Sequence, residues 1–408
     1  MKIAILSDFH LGYERFAEDA FMQAQSAMAQ AVEQADAILL AGDLFDTKLP
    51  RPETISQAFS IFRLPLAKKW ETRVESFSAR DGRANLCPAP VVAIHGTHEM
   101  RVRSMVNPIQ LLESGGFLVN AHSATAVLAK GAERVAITGM GGVPERQAKG
   151  ALEALDSKPV PGACNIFVFH QTLSELIPAA DGAMSAEDLP AGFDIYVSGH
   201  LHAHSDTNID GRRILIPGST VITQLRKEEA KEKGFYIFDT ESKSAEFMEI
   251  ASREFIFREL ELSNAKPDEA LGIIKREIER AVSSAKREKP VIRFRVSGTL
   301  SGAGELDTSL LEKAFSGRAF LVIDQSVSSG SLKQKVEQLR GARQGAASLR
   351  DMEDEIFFAQ LRKKGIEPTP ELQELMALLS SGRRVPPEEA IKKLLPKQDS
   401  QQSSTTGA

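Results

Sequence analysis

Cysteine is scarce in this chain of 408 residues: Cys87 and Cys164 are the only two, and no CxxC joins them. That pattern does not fit a disulfide framework and suits buried thiols in a reducing compartment. No run of about 18 apolar residues occurs, so no membrane span is expected. The opening MKIAILSDFH has one lysine and too short an apolar run for a signal peptide, which makes cytoplasm the expectation. Positive charge is not in excess either: 50 Lys and Arg against 55 Asp and Glu leave a formal net charge of −5. A surface coated in positive charge for nucleic acid is therefore excluded, whereas a local basic groove is not. No internal repeat is evident.

What is present is ordinary for a globular protein, 42% hydrophobic and 26% charged, at a length that predicts two or three domains. Through residue 250, short apolar runs alternate with polar or helical stretches. IAILS (3–7), AILLAG (37–42), VVAI (91–94), VAITG (135–139), NIFVF (165–169) and DIYVS (194–198) read as buried strands, and RILIPGS and GFYIFD add later ones. Residues 16–35 place Phe16, Ala20, Phe21, Ala24, Met28, Val32 and Ala35 close to a helical period, giving a βαβ unit. The expectation over 1–250 is a layered α/β domain with a large buried sheet. Residues 64–90, rich in breakers after Ser78, read as an inserted helix and loop.

From 251 the pattern changes to REFIFRELEL, a charged helix near 267–288, PVIRFRVSG, a helix at 307–316 and AFLVID. A small α/β domain over 251–330 follows, with SVSSGS (326–331) as a linker. Residues 331–396 read as helical, with Leu349, Met352, Ile356, Phe357 and Leu361 along one face of 347–364. The polar tail 397–408 is expected to be disordered.

Chemistry gathers at the strand ends. Six of the eight histidines follow an apolar strand within a few residues. Asp8 and His10 follow IAILS, and Asp43 follows AILLAG. His95 and His98 follow VVAI, His170 closes NIFVFH, and His200 and His202 follow DIYVSG. Ligands collect in the crevice beyond strand C-termini in open α/β sheets. Each piece alone has a bland reading: D-x-H is weak, Asp43 suits a capped turn, and His170 suits a satisfied core histidine. His122 and His95 read as structural, and His204 as a supporting or surface residue. Five strands delivering ionisable groups to one edge are harder to obtain from packing.

In order over residues 8–202, D-x-H, G-D, a G-x-H-E block, H and G-H-x-H resemble the calcineurin-like metallophosphoesterase pattern. The resemblance implies a β-sandwich core flanked by helices and two divalent metal ions bridged by Asp43. Asp8, His10 and His202 would complete one ion's ligands, and His170 and His200 would serve the other. Mixed carboxylate and imidazole shells suit manganese, iron or zinc better than calcium. Such an ion pair activates a water and clamps a phosphoryl centre during in-line attack. His98 would protonate or stabilise the leaving oxygen, with Glu99 orienting it.

GDLFD followed by RP, the segment IPGSTVITQLRKEEAKEKGFYIFD and the overall layout further resemble the SbcD-like, Mre-eleven-type nucleases. That branch implies manganese-dependent exonuclease and endonuclease action on DNA ends by a homodimer with a capping domain. Its C-terminal helices would dock an SbcC-like ABC-type coiled-coil ATPase. Lys48, Arg51, Arg101 and Arg103 are candidates for holding DNA phosphates. Two other readings stand beside it: a metallophosphatase or cyclic-nucleotide phosphodiesterase, and a catalytically weak DNA-binding scaffold. One position departs from the pattern. Thr97 stands where the family carries an asparagine ligand, and a neutral hydroxyl is a shorter, weaker donor. Either it reaches the second ion, or a water fills the gap, or that site is weak; the second ion is expected to bind more loosely.

Overall fold

Apolar strands hidden on both faces need two covering layers, and the computed structural model supplies them. It describes residues 1–100, 105–177, 183–301 and 306–329. The helices expected along 347–364, the rest of 331–396 and the tail lie outside the described residues. The described parts of Met1–Leu300 and Gly304–Val327 form one compact unit.

Lys2–Leu6, Ala37–Leu40, Val91–Ala93 and Val119–Asn120 run parallel in a six-stranded sheet, with Val119–Asn120 at its edge. Gly234–Asp239 and Ala245–Glu249 add antiparallel strands on the Lys2–Leu6 side. The second sheet has seven strands, ordered Ser205–Ile209, Arg212–Ile216, Ile195–Ser198, Cys164–Phe169, Glu133–Met140, Ala124–Lys130 and Arg73–Ala79. Alternation sorts its side chains by face. Ile166, Val168, Ile195, Val197 and Leu215 join the first sheet's Ile3, Ile5, Ile38 and Val92 in one core. Phe167, Phe169, Tyr196, Ile214 and Ile216 instead meet Leu152, Leu155 and Met184 on the other side. The large buried sheet read from the apolar runs is thus two sheets packed face to face, the sandwich that the resemblance implied.

Helix Ala17–Gln34 covers the first sheet with Ala24, Ala27, Met28 and Ala31, all fully buried. Alanine on the inner face brings its axis close to the strands. Pro52 opens the next helix, Pro52–Ala67, where a missing N–H costs nothing. Residues 73–79 correct the helix-and-loop reading of 64–90, being the edge strand of the second sheet. The supposed linker at 326 is also corrected, since Phe320–Ser329 is strand throughout.

A third sheet places Phe255–Ala265, Val291–Leu300 and Phe320–Ser329 side by side. Helix Pro267–Ser284 packs on it through Ala270, Ile274, Ile278 and Ala281, one helical face meeting Ile292, Phe294 and Val296. Phe255, Phe257 and Val291 also reach back to Val221, Ile222 and Leu225, in the loop that follows Arg212–Ile216. Arg293 Nη1 donates to the Leu225 carbonyl at 2.7 Å. Among the described residues, no helix is long and apolar enough to cross a membrane.

Candidate metal centre

The loops that leave the parallel strands are stitched together before any side chain is considered. Asp8 N–H donates to the Gly42 carbonyl at 2.9 Å, His10 N–H to Asp43 at 3.0 Å, and Gly199 N–H to Phe169 at 3.0 Å. Asp8, His10, Asp43 and His200 all adopt positive φ, between 48° and 81°. Non-glycine residues rarely hold this conformation, and clustering of such strain is a mark of functional sites. The glycines between them leave room: a Cβ on Gly96 would meet Asp43 Oδ1 at 2.1 Å.

One group that could hold a metal ion is Asp8, His10 and His202. Asp8 Oδ2 accepts from Ser7 Oγ and from the His200 N–H at 3.2 Å, while the buried Oδ1 has no hydrogen-bond partner. That oxygen lies 3.7 Å from His10 Nε2 and 3.6 Å from His202 Nε2. The two Nε2 atoms face each other at 3.2 Å. Their other nitrogens are engaged, His10 Nδ1 with Asp46 Oδ1 at 3.1 Å and His202 Nδ1 with Thr223 Oγ1 at 2.6 Å. With their Nδ1 atoms held in this way, the two Nε2 atoms and a carboxylate oxygen face one point, and a bound cation would satisfy all three.

The second group is Asp43, His170 and His200. His170 Nδ1–H donates to the Ala41 carbonyl at 2.7 Å, which aims Nε2 at Asp43 Oδ2, 3.0 Å away. The Thr97 hydroxyl lies 3.4 Å from that same oxygen. His98 N–H donates to Asp43 Oδ1 at 2.8 Å.

Electrostatics agrees with the geometry. Burial would raise the Asp43 pKa, but His170 and His10 hold it well below the usual carboxylate range. Burial opposes charging His10 as well, yet Asp46 and Asp8 lift it to about 10; in the same way Asp43 lifts His170 to about 9. Ionised carboxylates at this depth demand positive charge, supplied by protons when no metal is bound.

The His98 ring stands edge-on to His10, centroids 5.0 Å apart, with Nδ1–H donating to the Asp46 carbonyl at 2.9 Å. Its side chain is 45% exposed, so Nε2 is open to a ligand. Glu99 is not beside that ring, which corrects its assigned role. Its buried carboxylate accepts from Phe45 N–H at 2.9 Å and Gly96 N–H at 2.8 Å, tying two loops together. Burial and the Asp43 charge push it up to about 8. Asp46, missed from sequence, is the residue touching both His10 and His98; the second aspartate of GDLFD was its only signal. Glu229 was missed too: it accepts from Thr223 N–H at 3.1 Å and Gln224 N–H at 2.7 Å, beneath His202.

Lys48 and Arg51 line a cavity of about 800 Å³ with Tyr13, Asp46 and Leu49, next to the ligands. Arg51 pairs with Glu14 at 3.3 Å. Arg101 and Arg103 lie outside the described residues. His95 is a buried core residue, its Nε2 3.1 Å from the Gly142 carbonyl and its ring against His122. His204 stacks on Phe247, centroids 3.8 Å apart, away from both ligand groups.

The model of the calcineurin-like phosphoesterase family matches residues 1–204. The chain is similar to double-strand break repair protein MRE11 of Encephalitozoon cuniculi, 29% identical over 58% of this chain and 45% of that one. It is similar to DNA double-strand break repair protein Mre11 of Archaeoglobus fulgidus, 30% identical over 64% and 62%. For the human protein of that name the identity is 24%, over 72% and 50%. The chain thus spans about half the length of the relatives it matches.

Proposed function

Since the chain belongs to the calcineurin-like phosphoesterase family, we propose that it is a two-metal DNA nuclease that processes double-strand-break ends. The observation that carries this reading is the convergence of two three-residue ligand groups, Asp8–His10–His202 and Asp43–His170–His200, at one edge of the sandwich. The relatives' names supply the substrate class. Asp43 would bridge the two sites, and Thr97 would stand at the second.

Bound divalent cations, manganese foremost, would supply an activated water and neutralise charge on the phosphoryl oxygens. The chain's own groups do the rest. Asp46 fixes the His10 ring through Nδ1 and the His98 ring through its carbonyl, which leaves His98 Nε2 to protonate the departing sugar oxygen. Lys48 and Arg51 would hold flanking phosphates. The three-stranded sheet would cap the DNA groove, with residues 251–330 as its domain. Residues 331–396 would dock an SbcC-like ABC-type ATPase, and the nuclease would work as a homodimer.

A time course on end-labelled duplex DNA, with and without manganese, tests the reading against a chromogenic small phosphodiester. Manganese-dependent shortening of the duplex by wild type, abolished in His98→Ala, is expected. Efficient turnover of the small ester with intact duplex would replace the nuclease by a small-ester phosphoesterase. Equal inactivity of wild type and His98→Ala on both substrates would favour a DNA-binding scaffold.

A further inference from the structure

The strand Cys164–Phe169, which leads into His170, begins at its opposite end with a thiol beside an amine. Lys243 Nζ lies 3.0 Å from Cys164 Sγ and 3.0 Å from Asp194 Oδ1. Lys243 sits in the turn joining Gly234–Asp239 to Ala245–Glu249, with a left-handed backbone at φ 57°. Its carbonyl accepts from Arg213 Nη1. Asp194 is anchored in turn, its Oδ2 accepting from the Asn165 N–H at 2.7 Å. Thiol, amine and carboxylate are therefore held together by three separate backbone segments. A cavity of about 530 Å³ opens beside them, lined by Glu133, Arg134, Gly162, Thr240 and Glu241, and it admits a small oxidant. The other cysteine offers a contrast: Cys87 is buried, and its thiol donates to the Ala89 carbonyl at 3.2 Å.

We propose that Cys164 and Lys243 form a peroxide-triggered, reversible sulfenamide cross-link that staples the two sheets of the sandwich. Hydrogen peroxide first oxidises the thiolate: sulfur gains one oxygen as the O–O bond breaks, leaving a sulfenic acid and hydroxide. The free Lys243 amine then attacks Sγ. An N–S bond forms, the S–O bond breaks, and water leaves with the hydroxyl and one amine proton. In sum, thiol, amine and one peroxide give the sulfenamide and two waters. Condensation of a sulfenic acid with a nearby nitrogen is established chemistry, and here the nitrogen is already in contact. Burial holds the Cys164 pKa above the usual thiol value despite the pull of the Lys243 ammonium. For Lys243 the cost of burial is outweighed by its hydrogen bonds with Cys164 and Asp194, so that its pKa is raised as well. Thiolate and free amine are the reacting forms, so mild alkali speeds the linkage. The linkage closes a loop between positions 79 residues apart, so the oxidised protein should unfold at higher temperature.

The test treats the full chain with hydrogen peroxide at mildly alkaline pH, then maps tryptic peptides by mass spectrometry without reductant. The expected product joins the Cys164 and Lys243 peptides, lighter than their sum by two hydrogens, uncut at Lys243 and released by dithiothreitol. Its yield should be unchanged in Cys87→Ser and nil in Lys243→Arg and Cys164→Ser. Peroxide should raise the Tm of wild type by several degrees, leave Lys243→Arg unshifted, and lose its effect after dithiothreitol. Cys164 recovered only as sulfinic or sulfonic acid on an unlinked peptide would overturn the proposal. So would a wild-type Tm that peroxide leaves unmoved. Neither readout involves metal or DNA, so the outcome is independent of the nuclease reading.

Discussion

At the scale of single residues, Asp46 carries two duties that its place in GDLFD does not reveal. Its carboxylate holds His10 at 3.1 Å and its carbonyl holds His98 at 2.9 Å. Asp46→Asn keeps the carbonyl and removes the charge. We expect DNA cleavage to fall about 10–100-fold through weaker metal binding, the range typical of groups that orient metal ligands. Excess manganese should restore much of the rate, because His98 keeps its anchor. Steady-state rates across a manganese series decide it, and a loss that no manganese concentration repairs would place Asp46 in the proton transfer instead. That Asp8, His10, Asp43, His170, His200 and His202 gather in two groups was legible, because all of them follow strands that end at one edge. Asp46 and Glu99 were not, because spacing fixes which residues share a loop but not where a carboxylate turns. Glu99 turned to two backbone N–H groups, and Asp46 took the place beside His98.

Elements were legible in proportion to their burial. NIFVF and DIYVS announce strands because both faces are covered, whereas RVESFSA at a sheet edge buries no residue and reads as loop. The same holds for SVSSGS, small and polar yet partly strand. Close approach between elements is likewise invisible in sequence. A Cβ on Gly199 would meet the Ala41 carbonyl at 2.1 Å and His170 Nδ1 at 2.5 Å, whereas one on Gly150, in helix Ala148–Leu155, would meet nothing within 4 Å. Gly199→Ala should therefore cost about 2–3 kcal/mol and weaken the site that His200 and His170 share. Gly150→Ala should be neutral or gain up to about 1 kcal/mol from helix propensity. Urea denaturation of the metal-free proteins measures both, and equal stabilities would mean that the strand-end loops relax far more than their packing implies.

For the whole molecule, the division of the core into two sheets came from the family resemblance and not from the apolar runs, because an apolar run does not say which neighbour it pairs with. Stability adds what no motif states. Burial depresses the pKa of His95 to about 3 and of His122 to about 4. Unfolded histidine titrates near 6.5, so the unfolded chain binds more protons between pH 6.5 and about 4. The stability these rings contribute is whole above pH 6.5 and is lost as pH falls, at about 1.4 kcal/mol per pH unit for each ring. His122→Asn should flatten that limb by about one ring's slope in denaturation at stepped pH, and an unchanged slope would mean that His122 protonates while folded.

Metal acts on the whole fold in the same way, because a cation bound only by the native state stabilises it by RT ln(1 + [L]/Kd). A tight and a loose site give a Tm that climbs with manganese in two separate stages. On the two-metal proposal, the loose stage would belong to the group where Thr97 meets Asp43 Oδ2 at 3.4 Å, since a hydroxyl is the weaker donor. Thr97→Asn, supplying an amide oxygen, should draw the second stage toward the first by about tenfold in manganese concentration, a difference of about 1.4 kcal/mol. Calorimetric titration of both proteins checks the assignment, and two equally tight sites in the wild type would remove Thr97 as the cause of any weakness.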